Sequence, residues 1–129
     1  HRIGFSYSVQ SQRYVRQNSN SNHGPMEYTI PESIYENQDA LGIYNATMNI
    51  IQSSYDKLIS LKIKAEDARY LLPNAAQTNL IVSMNLRAFM DFYKKRRTGT
   101  HAQEEIQQLA ELLRTIIEDS EPWTKELFI

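Results

Sequence analysis

Apolar side chains recur at spacings of three and four residues in the middle of the chain. Their positions are Leu41, Tyr44, Met48, Ile51, Tyr55 and Leu58. One such stripe is typical of a helix that buries one face, and residues 31–33 (Pro-Glu-Ser) supply helix start signals. We therefore predict a long helix after residues 31–33, with Tyr44, Met48 and Tyr55 in the core rather than at a cofactor.

A second stripe of the same kind predicts a helix from about Ala102 to Glu118. Its apolar positions are Ile106, Leu109, Ala110, Leu113, Ile116 and Ile117. Thr100 is the predicted N-cap, because a threonine hydroxyl can accept a hydrogen bond from a free N–H of the first turn. Glu104 and Glu105 fall in that turn, where negative charge is favourable.

Three shorter helices complete the helical part of the prediction. Residues 64–72 form one that Pro73 ends, because proline has no N–H to donate. Residues 85–96 form another, which residues 98–100 (Thr-Gly-Thr) break. The aromatic side chains on one side of it are Phe89, Phe92 and Tyr93. Residues 121–123 open a short terminal helix.

The strand signals lie mainly near the start of the chain. Residues 3–15 alternate loosely between apolar and polar types, which favours an extended segment. Gly4 would allow a bulge or the close approach of another group. Residues 26–30 are predicted as a short strand, whereas residues 74–84 are compatible with strand or helix. We expect one domain, mostly helical with a short strand component, because 129 residues suit a single domain.

Composition excludes several classes of protein. The chain is 41% hydrophobic with a net charge of −1, so a disordered chain is excluded. No apolar run is long enough to span a bilayer. There is no cysteine, which excludes disulfides, thiolate zinc sites and a cysteine nucleophile. The three histidines are far apart in sequence, so no metal site is expected. With no recognisable secretion signal, we expect a cytoplasmic protein.

Positive charge is concentrated in two places although the total is nearly balanced. Residues 1–16 carry three arginines and no acid, and residues 94–97 read Lys-Lys-Arg-Arg. Local positive charge on a balanced chain favours a small anionic ligand over a long nucleic acid. No glycine-rich phosphate loop is present, since the four glycines are scattered.

Two stretches carry most of the candidate chemistry. Residues 6–14 combine serine hydroxyls, amides and a guanidinium, groups that bind phosphate; a solvated polar edge strand explains them equally well. The second stretch runs from Arg69 to His101. Within it, Asn85 and Arg87 lie between apolar neighbours in a segment expected to be packed, where an arginine needs a partner. A structural ion pair with a glutamate and a ligand-binding role remain equal alternatives for Arg87.

Taken together, these residues resemble the flavin-dependent thymidylate synthases. The matching positions are residues 1–2, 5–8 and 11–15, which correspond to the family signature, then 68–69, 72–75, Asn85, Arg87, Phe92, Arg96 or Arg97, 101–103, 105–106 and 122–124. The first arginine of the signature would precede His1. One residue is inserted around Gly4, and a second insertion before His101 leaves Arg96 and Arg97 as alternatives for one position.

The resemblance implies a fold and an activity. The fold is α+β, a mainly helical chain with a short antiparallel strand component, and residues 1–129 would be the C-terminal portion of the catalytic domain without its N-terminal part. The implied reaction is the reductive methylation of dUMP to dTMP with FAD, NADPH and methylenetetrahydrofolate. A homotetramer with active sites shared between subunits is implied, with no nucleic-acid or membrane partner. Hydroxymethyl transfer to dUMP, and a non-catalytic helical module that binds a nucleotide or protein, are the alternatives.

The resemblance also assigns roles to individual residues. Arg97 or Arg96 would be the catalytic cation beside the pyrimidine. The residues implied to bind dUMP are Gln10, Ser11, Gln12, Arg13 and Arg69. Those implied to line FAD are His1, Arg2, Ile3, Asn85, Arg87, Asp91 and His101. No metal ligand is implied, and Ser11 is not expected to be a nucleophile because no base is placed in sequence to activate it.

Overall fold

The structure, a computed structural model, describes residues 4–13 and 17–128 of the chain. The chain divides into two compact units. One, the N-terminal unit, consists of residues 9–80; the other, the C-terminal unit, consists of residues 1–8 and 81–129. The single-domain organisation stays a prediction. In the two described ranges, no helix combines the length and the apolar character that crossing a bilayer requires.

A two-stranded sheet is formed by β1 (Phe5–Val9) and β2 (Leu80–Met84). At one end the N–H of Asn85 donates to the carbonyl of Gly4 at 3.3 Å, and at the other the N–H of Gln10 donates to the carbonyl of Asn79 at 2.8 Å. This pairing is antiparallel, because residue numbers rise on one strand as they fall on the other. With the helices described below, the sheet confirms the predicted α+β class.

The core of the C-terminal unit lies between α4 (Leu86–Arg96) and α5 (Glu104–Ser120). It is formed by the buried residues Phe89, Tyr93, Ala110 and Phe128. The Phe128 ring lies edge-on to Phe89 at 5.5 Å and to Tyr93 at 5.3 Å between ring centroids. Phe128 follows a 3-10 helix at Pro122–Leu127, which confirms the predicted terminal helix. The predicted aromatic side of α4 is confirmed as well, with Phe92 half-buried against the cluster.

The start of α5 differs from the prediction. The helix begins at Glu104 after Gln103, so Thr100 is not its N-cap. The Thr100 hydroxyl instead donates to the carbonyl of Arg97 at 2.8 Å, which closes the loop between the helices. The predicted stripe is only partly buried: Ala110 is fully buried, whereas Leu109 and Ile116 are about half exposed.

The N-terminal unit is built on α2 (Gln38–Ser60). Met48 and Tyr55 are buried, as predicted, and Tyr44 is half-buried with its hydroxyl donating to the carbonyl of Thr29 at 2.7 Å. The predicted continuous helix from residues 31–33 is wrong. A separate short helix α1 (Glu32–Tyr35) comes first, and Asn37 then caps α2 by accepting a hydrogen bond from Ala40 N–H at 3.1 Å.

Irregular chain packs against α2 where a strand was predicted. The predicted strand at 26–30 is wrong, because only Tyr28 pairs there, through an isolated bridge to Ala76. Met26 is held instead by its N–H, which donates to the Gln52 side chain at 2.7 Å.

The predicted helix at 64–72 consists of α3 (Ala65–Ala68) and a 3-10 turn at Arg69–Leu71. The extended stretch predicted for 3–15 is a strand only over β1 among the described residues.

Candidate functional site

Two of the predicted cations of the N-terminal unit converge on Glu66. The Arg13 guanidinium donates through Nη2 to Glu66 Oε2 at 3.1 Å. Arg69 donates through Nε to the main-chain carbonyl of Glu66 at 3.2 Å, and Lys64 Nζ lies 3.8 Å from Glu66 Oε1. Half of the Arg13 side chain is exposed. The three positive charges around Glu66 therefore form a cationic cluster that solutes can reach.

Ser11 and Gln12 lie in the turn that carries Arg13 to this cluster. The Ser11 hydroxyl oxygen accepts a hydrogen bond from Arg13 N–H at 3.3 Å, a short-range contact that holds the turn. Ser11 and Gln12 are both half-buried. All four residues, Ser11, Gln12, Arg13 and Arg69, therefore lie in the N-terminal unit, where Arg13 and Arg69 share Glu66 as a partner.

Gln10 is held by Asn79 and lines a small polar pocket of about 110 Å³. Its amide oxygen accepts from Asn79 N–H at 3.3 Å and from Asn79 Nδ2 at 3.2 Å. Other residues of the pocket include Gln17, His23 and Glu27. Since the Gln10 oxygen already has two donors, this side chain has a structural role in fixing the segment before Ser11.

A groove of about 350 Å³ lies in the C-terminal unit. Its lining residues are Arg87, Met90, Asp91, Tyr93, Lys94, Arg97, Leu127 and Phe128. Four lining positions recur at helical spacing: Arg87, Met90 or Asp91, Lys94 and Arg97. One face of α4, together with its C-cap residue Arg97, therefore supplies most of the groove. Three cations against one carboxylate suit an anionic ligand, and Met90 and Leu127 add accessible apolar surface beside them.

The two neighbouring arginines after Lys95 differ in their surroundings. Arg97 lines the groove. Arg96 donates through Nη1 to the main-chain carbonyl of Lys95 at 3.2 Å and is absent from the groove lining. The geometry therefore favours Arg97 over Arg96 for a cation that faces a ligand in this groove.

Asn85 has a structural role in addition to any ligand role. It is the N-cap of α4, and its side-chain oxygen accepts from Ala88 N–H at 2.8 Å. Gly4 packs directly against it: a Cβ on Gly4 would lie 2.8 Å from Asn85 Nδ2, and the φ of Gly4 is +87°. The predicted close approach at Gly4 is thereby confirmed, because only glycine combines this angle with this contact.

The remaining predicted FAD residues are placed as follows. Arg87 is exposed, so the expectation that it is packed and needs a charged partner is wrong. Asp91 is exposed on the groove, and His101 is exposed in the loop before α5. His1, Arg2 and Ile3 lie outside the described residues. Over residues 4–13 and 17–128, no three His, Asp or Glu side chains come close enough to hold a metal ion.

Glu111 is a polar anchor that the sequence did not reveal. It lies on α5 and accepts at 3.0 Å from Thr98 N–H through Oε1 and at 3.0 Å from the Tyr93 hydroxyl through Oε2. Arg114 donates to the same Tyr93 hydroxyl at 2.9 Å and to Glu118 at 2.5 Å. The Thr98 N–H is the main reason that the pKa of Glu111 lies below its ordinary value, and the Tyr93 hydroxyl adds to it.

The lowered pKa of Glu111 predicts a pH-dependent stability. A carboxyl whose pKa is lower in the folded than in the unfolded protein stabilises the fold above the unfolded value of about 4.3. Compared with Glu111→Gln, which cannot titrate, the natural protein should be more stable by about 1 kcal/mol near neutral pH. The effect is no larger because 35% of the Glu111 side chain is exposed, so that solvent screens its interactions.

Urea unfolding at a series of pH values measures this difference in the free energy of unfolding. The difference should shrink as the pH falls below about 4 and disappear below the folded pKa of Glu111. A difference that stays constant throughout acidification would contradict the assignment.

Comparison with known proteins places the chain in a family. Residues 1–123 match the family described as thymidylate synthase complementing protein. The flavin-dependent thymidylate synthase of Clostridium tetani is 37% identical over 126 residues, covering 85% of this chain and 47% of that protein. The flavin-dependent thymidylate synthase of Geobacter sulfurreducens is 38% identical over 117 residues, covering 90% and 48%. The chain thus spans about half the length of these curated relatives.

A solved structure shares the fold. It is the crystal structure of the UMP/dUMP methylase PolB from Streptomyces cacaoi bound with 5-Br dUMP, with a TM-score of 0.83 at 22% sequence identity. The likeness covers 96% of this chain and 62% of that one. At this identity the likeness concerns the fold alone. From the family match over nearly its whole length, we conclude that the chain belongs to the thymidylate synthase complementing protein family, that of the flavin-dependent thymidylate synthases.

Proposed function

We propose that this chain carries out the reductive methylation of dUMP to dTMP, as the C-terminal portion of a flavin-dependent thymidylate synthase. The observation that carries the proposal is the convergence of Arg13 and Arg69 on Glu66 beside Ser11, in a chain of this family. Methylenetetrahydrofolate is the proposed carbon donor and NADPH the proposed reductant. A homotetramer with active sites shared between subunits is the proposed assembly, in the cytoplasm.

The cationic cluster around Glu66 supports a phosphate site. A nucleotide monophosphate is doubly charged near neutral pH, and guanidinium groups bind its oxygens through charge-assisted hydrogen bonds. Arg13 would exchange its bond to the Glu66 carboxylate for a phosphate oxygen, while Arg69 stays held by the Glu66 carbonyl. The Ser11 hydroxyl can donate to the same phosphate while its oxygen accepts from Arg13 N–H. Gln10 and Gln12 complete the proposed dUMP segment.

Arg97 is the proposed catalytic cation. Attack on the pyrimidine ring places negative charge on the base, and a fixed positive charge at that position lowers the barrier. The chain has no cysteine to form a covalent adduct with the base, which agrees with a role for a cation in stabilising the charge on the ring. Arg97 lines the groove beside Arg87 and Asp91, which are proposed flavin neighbours.

The groove residues fit a flavin by their chemistry. Arg87 and Lys94 can bind phosphate or the reduced ring, while Met90 and Leu127 offer apolar surface to a flat heterocycle. Asn85 and His101 are further proposed contacts, with His1, Arg2 and Ile3 outside the described residues. When bound, FAD supplies hydride chemistry, and the protein supplies position and charge.

The release of tritium from 5-labelled dUMP tests catalysis. The purified full-length protein is incubated with FAD, NADPH and methylenetetrahydrofolate, and each component is omitted in turn. We expect tritium in water only when all are present, because methylation replaces the C5 hydrogen. Binding of FAD and dUMP without any release of tritium would favour the alternative of a non-catalytic nucleotide-binding module.

Removal of either guanidinium from the cluster should weaken dUMP binding. We expect Arg13→Ala and Arg69→Ala each to cost about 1.5–3 kcal/mol, the range for hydrogen bonds to charged groups. Isothermal titration with dUMP measures the effect. Lys57→Ala is the matched control, since Lys57 is an exposed cation of the same unit that is not part of the cluster around Glu66. It should leave dUMP binding nearly unchanged.

Titration with the uncharged nucleoside deoxyuridine separates a loss of phosphate binding from a general disruption of the binding site. Its affinity should change little in either arginine variant, because it lacks the group that the arginines bind. If Arg13→Ala and Arg69→Ala weaken the binding of deoxyuridine as much as that of dUMP, or leave the affinity for dUMP unchanged, the phosphate assignment is wrong.

A further inference from the structure

We propose that Glu111 is the positioning residue that holds Arg97 at the groove. The inference rests on the proposed function for the catalytic role of Arg97, and on the geometry of the C-terminal unit for everything else. Glu111 is not itself a lining residue of the groove, and among the contacts of the described residues it makes none to the Arg97 guanidinium. It would therefore act through Tyr93 and through the main chain that carries Arg97.

Glu111 binds groups on both sides of Arg97. Its carboxylate accepts from Thr98 N–H, directly after Arg97, and from the hydroxyl of Tyr93, one helical turn before it. Arg97 N–H in turn donates to the carbonyl of Tyr93 at 2.8 Å. The segment that presents Arg97 is thus tied at both ends to one carboxylate on the neighbouring helix.

This segment needs such a tie because α4 ends there. Arg97 leaves the helical conformation with ψ of 162°, and Gly99 follows with φ of +84°. Thr98 N–H therefore has no helical acceptor and would otherwise bond to water. The loop on the other side is closed by Thr100, whose hydroxyl donates to the carbonyl of Arg97 at 2.8 Å. Glu111 connects this turn to α5 through Thr98, and Gln107 of α5 adds a bond from its Nε2 to the carbonyl of Thr100 at 3.3 Å.

The arrangement holds Arg97 without neutralising it. Among the described residues, Glu111 forms its ion pair with Arg114, at 3.9 Å, and none with Arg97. A carboxylate that paired with Arg97 directly would reduce the positive field that the proposed reaction needs. Glu111 instead bonds to Thr98 N–H and to the Tyr93 hydroxyl, so it holds the main chain on either side of Arg97 and leaves the guanidinium charge for the ligand.

Three variants of the full-length protein test the proposal. Glu111→Leu removes both acceptor oxygens at similar size. Glu111→Gln removes the charge but keeps one amide oxygen that can accept from Thr98 N–H. Glu104→Gln is the matched control: it removes the same charge from the same helix, where Glu104 accepts only from Gln108 of its own helix among the bonds of the described chain.

The kinetic readout is kcat for dTMP formation together with KM for dUMP and the bound FAD content. We expect Glu111→Leu to lower kcat by about 10-fold or more, the scale for a misplaced catalytic group, with KM and FAD content nearly unchanged. Glu111→Gln should recover most of kcat, and Glu104→Gln should match the natural protein. Equal kcat in Glu111→Leu and the natural protein, or no recovery in Glu111→Gln, would overturn the proposal.

A second readout does not depend on activity or on how well a variant folds. In the natural protein, the NMR shift of the Thr98 amide proton should follow the ionisation of Glu111, and its hydrogen exchange should be slowed. A Thr98 amide that neither titrates nor is protected would overturn the positioning role. If this bond is present but the natural protein forms no dTMP, the proposed function fails while the tie between Glu111 and the Arg97 segment stands.

Discussion

Replacement of Arg97 with alanine is expected to lower kcat for dTMP formation by about 10²–10³-fold, the usual effect of removing one group that stabilises developing charge. Arg97 lies at the end of α4, on a groove that also contains Arg87 and Asp91. Its charge should matter most when the pyrimidine ring carries extra electrons, and less in the ground state. We therefore expect KM for dUMP to change much less than kcat.

Arg96→Ala is the matched control for this prediction. It removes the same charge one residue earlier, from a side chain that bonds to the Lys95 carbonyl and is absent from the groove lining. Steady-state kinetics of the two variants should differ strongly, with Arg96→Ala within about threefold of the natural protein, a difference smaller than 1 kcal/mol. Equal losses in both variants, or a larger loss in Arg96→Ala, would contradict the assignment of Arg97.

Replacement of Phe89 with alanine should have the largest effect on stability. Phe89 is only 1% exposed, and its ring contacts Tyr93 and Phe128 in the core of the C-terminal unit. Truncation of a buried phenylalanine removes apolar contacts and leaves a cavity, which costs about 3–5 kcal/mol. We expect a loss of that size in the free energy of unfolding, measured by denaturant titration with a probe in this unit, such as Trp123.

Leu112→Ala provides the control for the loss of apolar surface. Leu112 lies on α5 as well but is 58% exposed, so its truncation should change stability by no more than about 0.5 kcal/mol. A loss for Phe89→Ala that does not exceed the loss for Leu112→Ala would show that the aromatic cluster is not the core of this unit.

Local patterns in the sequence were enough to find most of the helices. The apolar spacing on α4 and α5 placed both within about two residues, because amphipathic helices bury a periodic face. The break before α2 was missed, since Asn37 begins a new helix there by accepting a hydrogen bond from Ala40 N–H, within a segment that already carries helix start signals. The run at Leu80–Met84 could not be assigned, because short apolar runs fit strand and helix equally; its pairing with β1 decides the matter.

The candidate site was only partly predictable for a related reason. Residue type and resemblance to the family indicated Arg13, Arg69 and one of the pair Arg96 and Arg97, without deciding between the last two. Glu66 and Glu111 did not, because their roles depend on partners brought close by folding: Arg13 lies 53 residues from Glu66. Thr100 looked like a helix cap but closes a loop, since the chain turns at Gly99 before α5 begins.

The mass of the product formed from dUMP tests the central claim most directly. Purified full-length protein is incubated with dUMP, methylenetetrahydrofolate, FAD and NADPH, and the nucleotides are separated and weighed by mass spectrometry. We predict a product heavier than dUMP by one CH₂ group, with the carbon derived from labelled folate. A product that carries a hydroxymethyl group, or dUMP recovered unchanged from a protein that has bound both FAD and dUMP, would contradict it.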